Sequence, residues 1–160
     1  MKIERIISGG QTGADRGALD AAIEVGVSHG GWCPKGRLAE DGTVPERYGL
    51  KEAPVDGYPA RTRLNVEAAE ATVIFSVGSA LGRGSRLTIR ACIDLQRQVK
   101  CINLEVGRDE ALTQLREWRD NCHNFGVPIR TLNVAGSRES SAPGIQRMVH
   151  EVMCVFLNDK

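Results

Sequence analysis

Three apolar, strand-like runs in this chain each lead into a loop rich in Gly, Ser and Thr that opens a helical pattern. The loops cover residues 9–17, 82–88 and 136–141. In a parallel sheet such loops all lie at the carboxyl ends of their strands, where backbone N–H groups and helix N-termini meet. The pattern therefore favours a parallel α/β arrangement and predicts an anion-binding rim.

The rest of the chain alternates short β-like runs with helical periodicity. Strands are predicted at 3–8, 27–30, 71–77, 99–106 and 129–135, and helices at 14–25, 61–69, 84–98, 110–125 and 143–156. This alternation is typical of a three-layer α/β fold, in which a mainly parallel sheet of about five strands is flanked by helices through right-handed crossovers. No repeat or linker interrupts it, so residues 1–160 are predicted to form a single domain.

Composition limits the classes of function. The net charge of +1 gives no general field for nucleic acid or membrane, so any attraction to an anion must come from local Arg and Lys. No apolar stretch is long enough to span a bilayer, and a strand begins almost at the first residue, which predicts a cytoplasmic protein without a signal peptide. Five separated cysteines, and histidines at 29, 123 and 150 without ligand spacing, predict neither disulfides nor a metal site.

The first loop combines turn-forming glycines with hydrogen-bonding side chains. Gly9, Gly10 and Gly13 permit a sharp turn and close approach of amides to a ligand, and Thr12 is a further donor. The loop lacks the Gly-Lys-Ser/Thr ending of a Walker loop, and no acidic residue follows the second strand as in a dinucleotide site. The alternative is a tight turn whose glycines serve only packing.

Two charged residues follow in the first helical turn. Asp15 is favoured there by the helix dipole, whereas Arg16 is not, so Arg16 indicates either a salt bridge or a bound anion. Our hypothesis makes Arg16 a phosphate contact and Asp15 a partner for the polar edge of a ribose or pterin.

The other two loops add hydroxyl and guanidinium groups. Ser79, Ser85, Thr88 and Arg83 accompany the second loop, with a flexible connection as the alternative. The third loop carries Arg138, while Ser141 suits the N-cap of the last helix.

The segment at about 31–60 has little periodicity and much Gly, Pro and charge, which is more often functional than inert. One interpretation is a lid in which Lys35 and Arg37 reach an anion while Trp32 or Tyr48 stacks on a ring. The alternative is a solvated loop packed by its own aromatics. Cys33 could ligate a soft metal, but a single cysteine is more often structural and is interpreted so here.

Three stretches resemble a known family: residues 9–20 (GGQTGADRGALD), 31–37 (GWCPKGR) and 133–140 (NVAGSRES). They are similar to the putative molybdenum carrier family of the SLOG superfamily, whose Rossmann-like domains bind nucleotide-like ligands and include the Lonely-Guy phosphoribohydrolases and the DNA-processing protein of bacterial transformation. The resemblance covers nearly the whole chain. It implies a homo-oligomer that binds molybdenum cofactor, a pterin bearing a phosphate and a metal, or a related phosphorylated nucleotide-like molecule.

One departure bears on catalysis. Lonely-Guy enzymes have a Pro-Gly-Gly-x-Gly-Thr-x-x-Glu loop whose glutamate is central to cleaving base from ribose 5'-phosphate, and here Thr88 stands in its place. Threonine is no general acid or base near neutral pH, so the motif argues against that chemistry unless Asp15, Glu40 or Glu139 substitutes.

These observations predict a non-catalytic carrier of a phosphorylated pterin or nucleotide. The alternative is an N-glycosidic hydrolase of the Lonely-Guy type, and a nucleic-acid module ranks third because few aromatics are available to stack bases. A dimer or tetramer is expected, because helix 84–98 is apolar around much of its circumference. The predicted binding residues are Gly9, Gly10, Gln11, Thr12, Gly13, Asp15, Arg16, Lys35, Arg37, Ser79, Gly82, Arg83, Gly84, Ser85, Thr88, Asn133, Gly136, Arg138 and Glu139.

Overall fold

The central feature of the computed structural model, which describes residues 2–159, is a five-stranded parallel sheet. Its strands are β1 (Arg5–Ser8), β2 (Ser28–Gly30), β3 (Ala71–Ser76), β4 (Gln98–Asn103) and β5 (Thr131–Gly136). They are ordered β2-β1-β5-β3-β4, and every neighbouring pair is parallel. The predicted α/β architecture is confirmed.

Five helices connect and cover these strands. They are α1 (Ala14–Val25), α2 (Tyr58–Glu67), α3 (Arg83–Asp94), α4 (Arg108–Asn124) and α5 (Ile145–Leu157). Helices α1 and α4 pack against α5, whereas α2 packs against α3. Right-handed crossovers place these two groups on opposite faces of the sheet, which gives three layers.

The core lies between the sheet and these helices. All six residues of β3 are buried, as expected for a central parallel strand that is covered on both faces. On the α5 side, Val149 and Phe156 pack in the same core as Ile6 and Leu132. The continuous apolar run of β3 is thus the sequence signal that locates the middle of the sheet.

Several predicted boundaries shift for local reasons. The third helix ends at Asp94 instead of 98, because Gln96 has a φ of +54° and Arg97 turns back to donate to the carbonyl of Cys92. The fourth strand ends at Asn103, whose side chain accepts from the N–H of Glu105 and starts a single 3-10 turn. The second helix begins at Tyr58, earlier than predicted, with a proline in its first turn.

The segment at 31–57 has more structure than its sequence predicts. Residues Trp32–Cys33 pair in parallel with Lys51–Glu52, and Leu38–Ala39 pair antiparallel with Gly42–Thr43. Four apolar side chains of the segment form a small second core with Leu19 of α1: Cys33, Val44, Tyr48 and Leu50. Pairs of two residues are too short to produce a periodic pattern, which is why the sequence reads as irregular.

Two further expectations concern membrane-spanning helices and oligomerisation. Within residues 2–159, none of the helices combines the length and the apolarity that crossing a bilayer requires. On α3 the buried face consists of Ser85, Thr88 and Cys92, while Ile93 points outward with 64% of its surface exposed. The homo-oligomer stays a prediction.

Candidate functional site

A cavity of about 700 Å³ opens where β1, β5 and β3 end. These strands are neighbours in the middle of the sheet, so their loops meet there, as the sequence predicts. The chain leaves β1 towards one edge of the sheet and β3 towards the other, which is the arrangement that forms a ligand crevice in open α/β sheets. Helix α2 supplies a further wall through Tyr58, Arg61 and Asn65.

The predicted residues divide into two groups by position. The cavity is lined by Gly9, Gln11, Asp15, Gly82, Arg83, Gly84, Ser85, Thr88, Asn133, Gly136 and Arg138. The remaining predicted residues lie outside its lining: Gly10, Thr12, Gly13, Arg16, Lys35, Arg37, Ser79 and Glu139.

Open backbone donors mark the second loop. Helix α3 begins at Arg83 after Gly82, and no side chain caps it. Within the described residues, the backbone N–H groups of Arg83, Gly84 and Ser85 donate no hydrogen bond, and all three residues line the cavity. Uncapped N–H groups and the helix dipole make such an end a favourable position for an anion.

Backbone donors of the first and third loops are engaged by the protein itself. The N–H of Gln11 donates to Asp15 at 3.1 Å, and that of Ala14 donates to the carbonyl of Ser137 at 3.1 Å. The N–H of Glu139 donates to the hydroxyl of Thr12 at 3.2 Å. The bonds of Ala14 and Glu139 tie the two loops together.

A buried ion pair lies at the cavity wall. The guanidinium of Arg61 is 3.6 Å from the carboxylate of Asp15, and their side chains are 12% and 9% exposed. Burial raises the pKa of Asp15, while Arg61 and the hydrogen bond from the N–H of Gln11 oppose that rise. The Nε of Arg61 is buried and has no hydrogen-bond partner among residues 2–159.

Gly9 is what admits Arg61 to this position. A Cβ added at Gly9 would collide with the guanidinium of Arg61. The sequence analysis did not single out Arg61, because an arginine on a helix ordinarily belongs to a solvated face. The available signal was the glycine, which leaves a space that some other residue must fill.

Arg16 forms a salt bridge and lies away from the cavity. Its Nε donates to the carbonyl of Gly10 at 3.0 Å, and its two terminal nitrogens donate to Asp41 at 2.5 and 2.8 Å. Of the two explanations that the sequence offered for a cation in this turn, the salt bridge accounts for its geometry.

The long segment reaches the glycine loops through acidic residues. Glu40 accepts from the hydroxyls of Ser140, at 2.5 Å, and of Thr12. These hydroxyls, Ser140 first, hold the pKa of Glu40 below its ordinary value. The contacts of Glu40, together with the salt bridge between Asp41 and Arg16, hold the long segment against the glycine loops beside the cavity.

The residues that the lid interpretation required lie elsewhere. Arg37 donates to the carbonyls of Val44 and Leu50 within the segment, and Lys35 is exposed. Tyr48 is buried and donates to Asp20 at 2.8 Å, while Lys51 lies over the ring of Trp32. No residue of 31–57 lines the cavity, whereas Tyr58 and Pro59 at the end of the predicted 31–60 segment do. The structure therefore supports the alternative of a self-packed segment for residues 31–57.

Three glycines of the first and third loops allow close packing. A Cβ at Gly13 would meet the carbonyl of Ser137 and lie 2.7 Å from the nitrogen of Glu139, and one at Gly136 would meet the carbonyl of Phe75. A Cβ at Gly10 would lie 2.6 Å from Leu50 of the long segment. Packing, the alternative weighed from the sequence, explains these three positions.

The remaining polar residues have defined partners. The carboxylate of Glu139 accepts from the N–H groups of Gly144 and Gln146 at the start of α5. The hydroxyl of Thr88 donates to the carbonyl of Gly84 at 3.0 Å. Asn133 donates to Thr72 at 3.1 Å, and both Thr88 and Asn133 stay on the cavity wall.

Comparison with models of protein families shows which family this chain belongs to. Residues 6–157 match the model of the circularly permutated YpsA SLOG family. The chain belongs to this family. The resemblance drawn from the three motifs is thereby confirmed at the level of the SLOG group.

A solved structure is similar to this SLOG chain over nearly its full length. It is the crystal structure of a putative molybdenum carrier protein from Syntrophus aciditrophicus SB at 1.45 Å resolution, 42% identical, with a TM-score of 0.88. The match covers 97% of this chain and 95% of the other. No curated protein sequence gives a significant match.

Proposed function

We propose that this SLOG chain binds a phosphorylated small molecule in its central cavity, with molybdenum cofactor as the first candidate. The observation that carries the proposal is the start of α3, where Arg83, Gly84 and Ser85 line the cavity and their N–H groups have no hydrogen-bond partner among the described residues. A phosphate there would accept from these donors and pair with the exposed guanidinium of Arg83. The engaged donors of the other two loops would hold the cavity in shape.

A polar heterocycle would contact the carboxylate and amide side chains of the cavity. Asp15, Gln11 and Asn133 line the cavity and offer these groups, which suit the polar edge of a pterin or purine. The buried Nε of Arg61 is a further donor without a partner in the described residues. The volume of about 700 Å³ falls within the range of small-molecule pockets.

The relationship to known proteins supports a carrier over a general anion site. The 42%-identical structure is that of a putative molybdenum carrier protein. Molybdenum cofactor joins a phosphate to a pterin, the two groups proposed above for the cavity. A carrier holds its cargo unchanged. Threonine at position 88, where Lonely-Guy enzymes have their glutamate, agrees with that role.

Native mass spectrometry of freshly purified protein tests the proposal. We expect a bound mass that denaturation releases as a phosphorylated pterin, together with molybdenum in elemental analysis. An Arg83→Ala variant should lose at least tenfold in occupancy. Arg86→Ala is the matched control, because Arg86 is an exposed arginine of the same helix that does not line the cavity. Equal occupancy in both variants would refute the phosphate position.

A second candidate is N-glycosidic hydrolysis of a nucleoside monophosphate. It is favoured by Asp15, a carboxyl on the cavity wall whose pKa is raised by burial, whereas Glu40 and Glu139 are engaged outside the cavity. In this reaction water adds to C1' as the C–N bond breaks, and the ionised Asp15 takes a proton from that water and passes it to the leaving base, so the products are the sugar phosphate and the free base. Chromatography of a nucleotide panel should then detect free base with the wild type and none with Asp15→Asn. Absence of free base with the wild type would exclude the reaction.

A further inference from the structure

Three residues that bind metals in many proteins meet at the contact between α1 and α5, outside the lining of the cavity described above. They are Glu24 on α1 and His150 and Cys154 on α5. The Nε2 of His150 lies 2.6 Å from Oε2 of Glu24 and 3.4 Å from Sγ of Cys154. The three donor atoms all lie within 4.8 Å of one another.

We propose that Glu24, His150 and Cys154 form a binding site for one divalent cation of the Zn²⁺ type. The set provides one oxygen, one nitrogen and one sulfur donor. Thiolate and imidazole together favour borderline-soft ions such as Zn²⁺ and Co²⁺ over Mg²⁺ or Ca²⁺, which take oxygen ligands.

The spacing of the donors suits a tetrahedral ion. With metal bonds of about 2.0 to 2.3 Å, neighbouring donors in a tetrahedron are about 3.3 to 3.6 Å apart. The 3.4 Å between Sγ and Nε2 already has this value. The Glu24 carboxylate must withdraw from Nε2 by about 0.7 Å to admit the ion, and its side chain is 62% exposed and has room to do so.

Helix geometry holds two of the donors together. His150 and Cys154 are four residues apart on α5, which places them on one face of the helix, and α1 packs against that face and brings Glu24. Both α5 side chains are half-buried, whereas Glu24 is exposed. The rigid pair and the movable carboxylate would leave a fourth position for water.

The surroundings leave an ion free to enter. A shallow surface depression borders Glu24 and His150 and also contains Asp20 and Arg47, whose charged groups lie 3.6 Å apart and offset each other. The nearest cation on α5, Arg147, is paired with Glu151 at 2.9 Å. The local charge therefore does not oppose a cation. The site does not depend on the proposed ligand of the central cavity.

Titration of tag-free, chelator-treated full-length protein tests the site. We expect calorimetry with Zn²⁺ to give one equivalent bound, and Co²⁺ to produce a thiolate charge-transfer absorption band. His150→Ala, Cys154→Ser and Glu24→Gln should each weaken Zn²⁺ binding at least tenfold. His123→Ala and Cys101→Ser are the matched controls, since neither residue belongs to the cluster. Both should bind as the wild type does.

Three results would overturn the proposal. The first is that the wild type does not bind Zn²⁺, and the second is that Co²⁺ gives no thiolate absorption band. The third is that His150→Ala and Glu24→Gln bind Zn²⁺ as well as the wild type does, which would mean that Cys154 is only a reactive thiol. Far-ultraviolet circular dichroism of every variant shows whether it is folded. If a variant is unfolded, Co²⁺ spectroscopy of the wild type still decides the question.

Discussion

Arg16, in the first turn of α1, is held by Asp41 through two hydrogen bonds of 2.5 and 2.8 Å. The arginine is buried, with 7% of its side chain exposed, whereas the aspartate is half exposed. The same guanidinium binds the carbonyl of Gly10 at 3.0 Å. One side chain therefore joins the helix, the first glycine loop and the long segment.

Replacement of Arg16 should reduce stability. Arg16→Met leaves the Gly10 carbonyl and the Asp41 carboxylate without their donor, which we expect to lower the free energy of unfolding by about 2 kcal/mol. Arg147→Met, which removes an exposed pair with Glu151, should cost below about 0.5 kcal/mol. Urea denaturation measures both, and similar losses would contradict the structural role of Arg16.

Acid should weaken the attachment of the long segment. The hydroxyls of Ser140 and Thr12 lower the pKa of Glu40 in the folded chain. A lowered pKa contributes stability above the unfolded value of 4.5, and that contribution disappears as pH falls through the folded value. Glu40→Gln should therefore flatten the loss of stability below pH 4.5. The exposed Glu117→Gln is the control, and an equal flattening there would exclude a specific effect of Glu40.

Asp15, paired with Arg61, should make stability depend on pH in the opposite direction from Glu40. Burial raises the pKa of Asp15, so its contribution to stability is lost as pH rises from 3.8 through the folded value. Arg61 opposes that rise, so Arg61→Met should move the pKa of Asp15 further upward and enlarge the loss. Carboxyl carbon NMR titration measures this pKa. The exposed Arg63→Met should leave it in place, and an unmoved pKa in Arg61→Met would disprove the coupling.

Gly13 should be needed both because it has no side chain and because its φ is positive. Both Gly13 and Gly26 have a positive φ, of 85° and 72°. Only at Gly13 would a Cβ meet the third loop, since the space at Gly26 is open to 4 Å. We expect Gly13→Ala to cost at least about 3 kcal/mol, against about 1 kcal/mol for Gly26→Ala. Thermal unfolding compares them, and equal costs would mean that the third loop moves aside.

The fold was predictable because its signals are local. The apolar run of β3 and the three glycine loops located the central strands and their common end. The long segment was not predictable, because its strands are two residues long and its order depends on contacts such as Glu40 with Ser140, 100 residues away.

The candidate site was predictable in outline and not in detail. The sequence indicated that the three loops converge, but it could not tell which backbone donors the protein would use for itself. Arg61 was missed because its partner Asp15 lies on a different helix. At α5 the sequence predicted no metal site, because Glu24, which completes the set with His150 and Cys154, is 126 residues from His150.

The uncapped start of α3 affects how tolerant this chain is to mutation. Its donors belong to the main chain, so replacing side chains one at a time leaves them in place. An alanine scan would therefore record only the part of the proposed anion binding that Arg83 contributes. Removing a donor requires an imino acid, as in Gly84→Pro, which fits the φ of a first helical turn but has no N–H. If the proposed anion site is correct, side chains around it other than Arg83 can vary widely while the main-chain part of the affinity is kept.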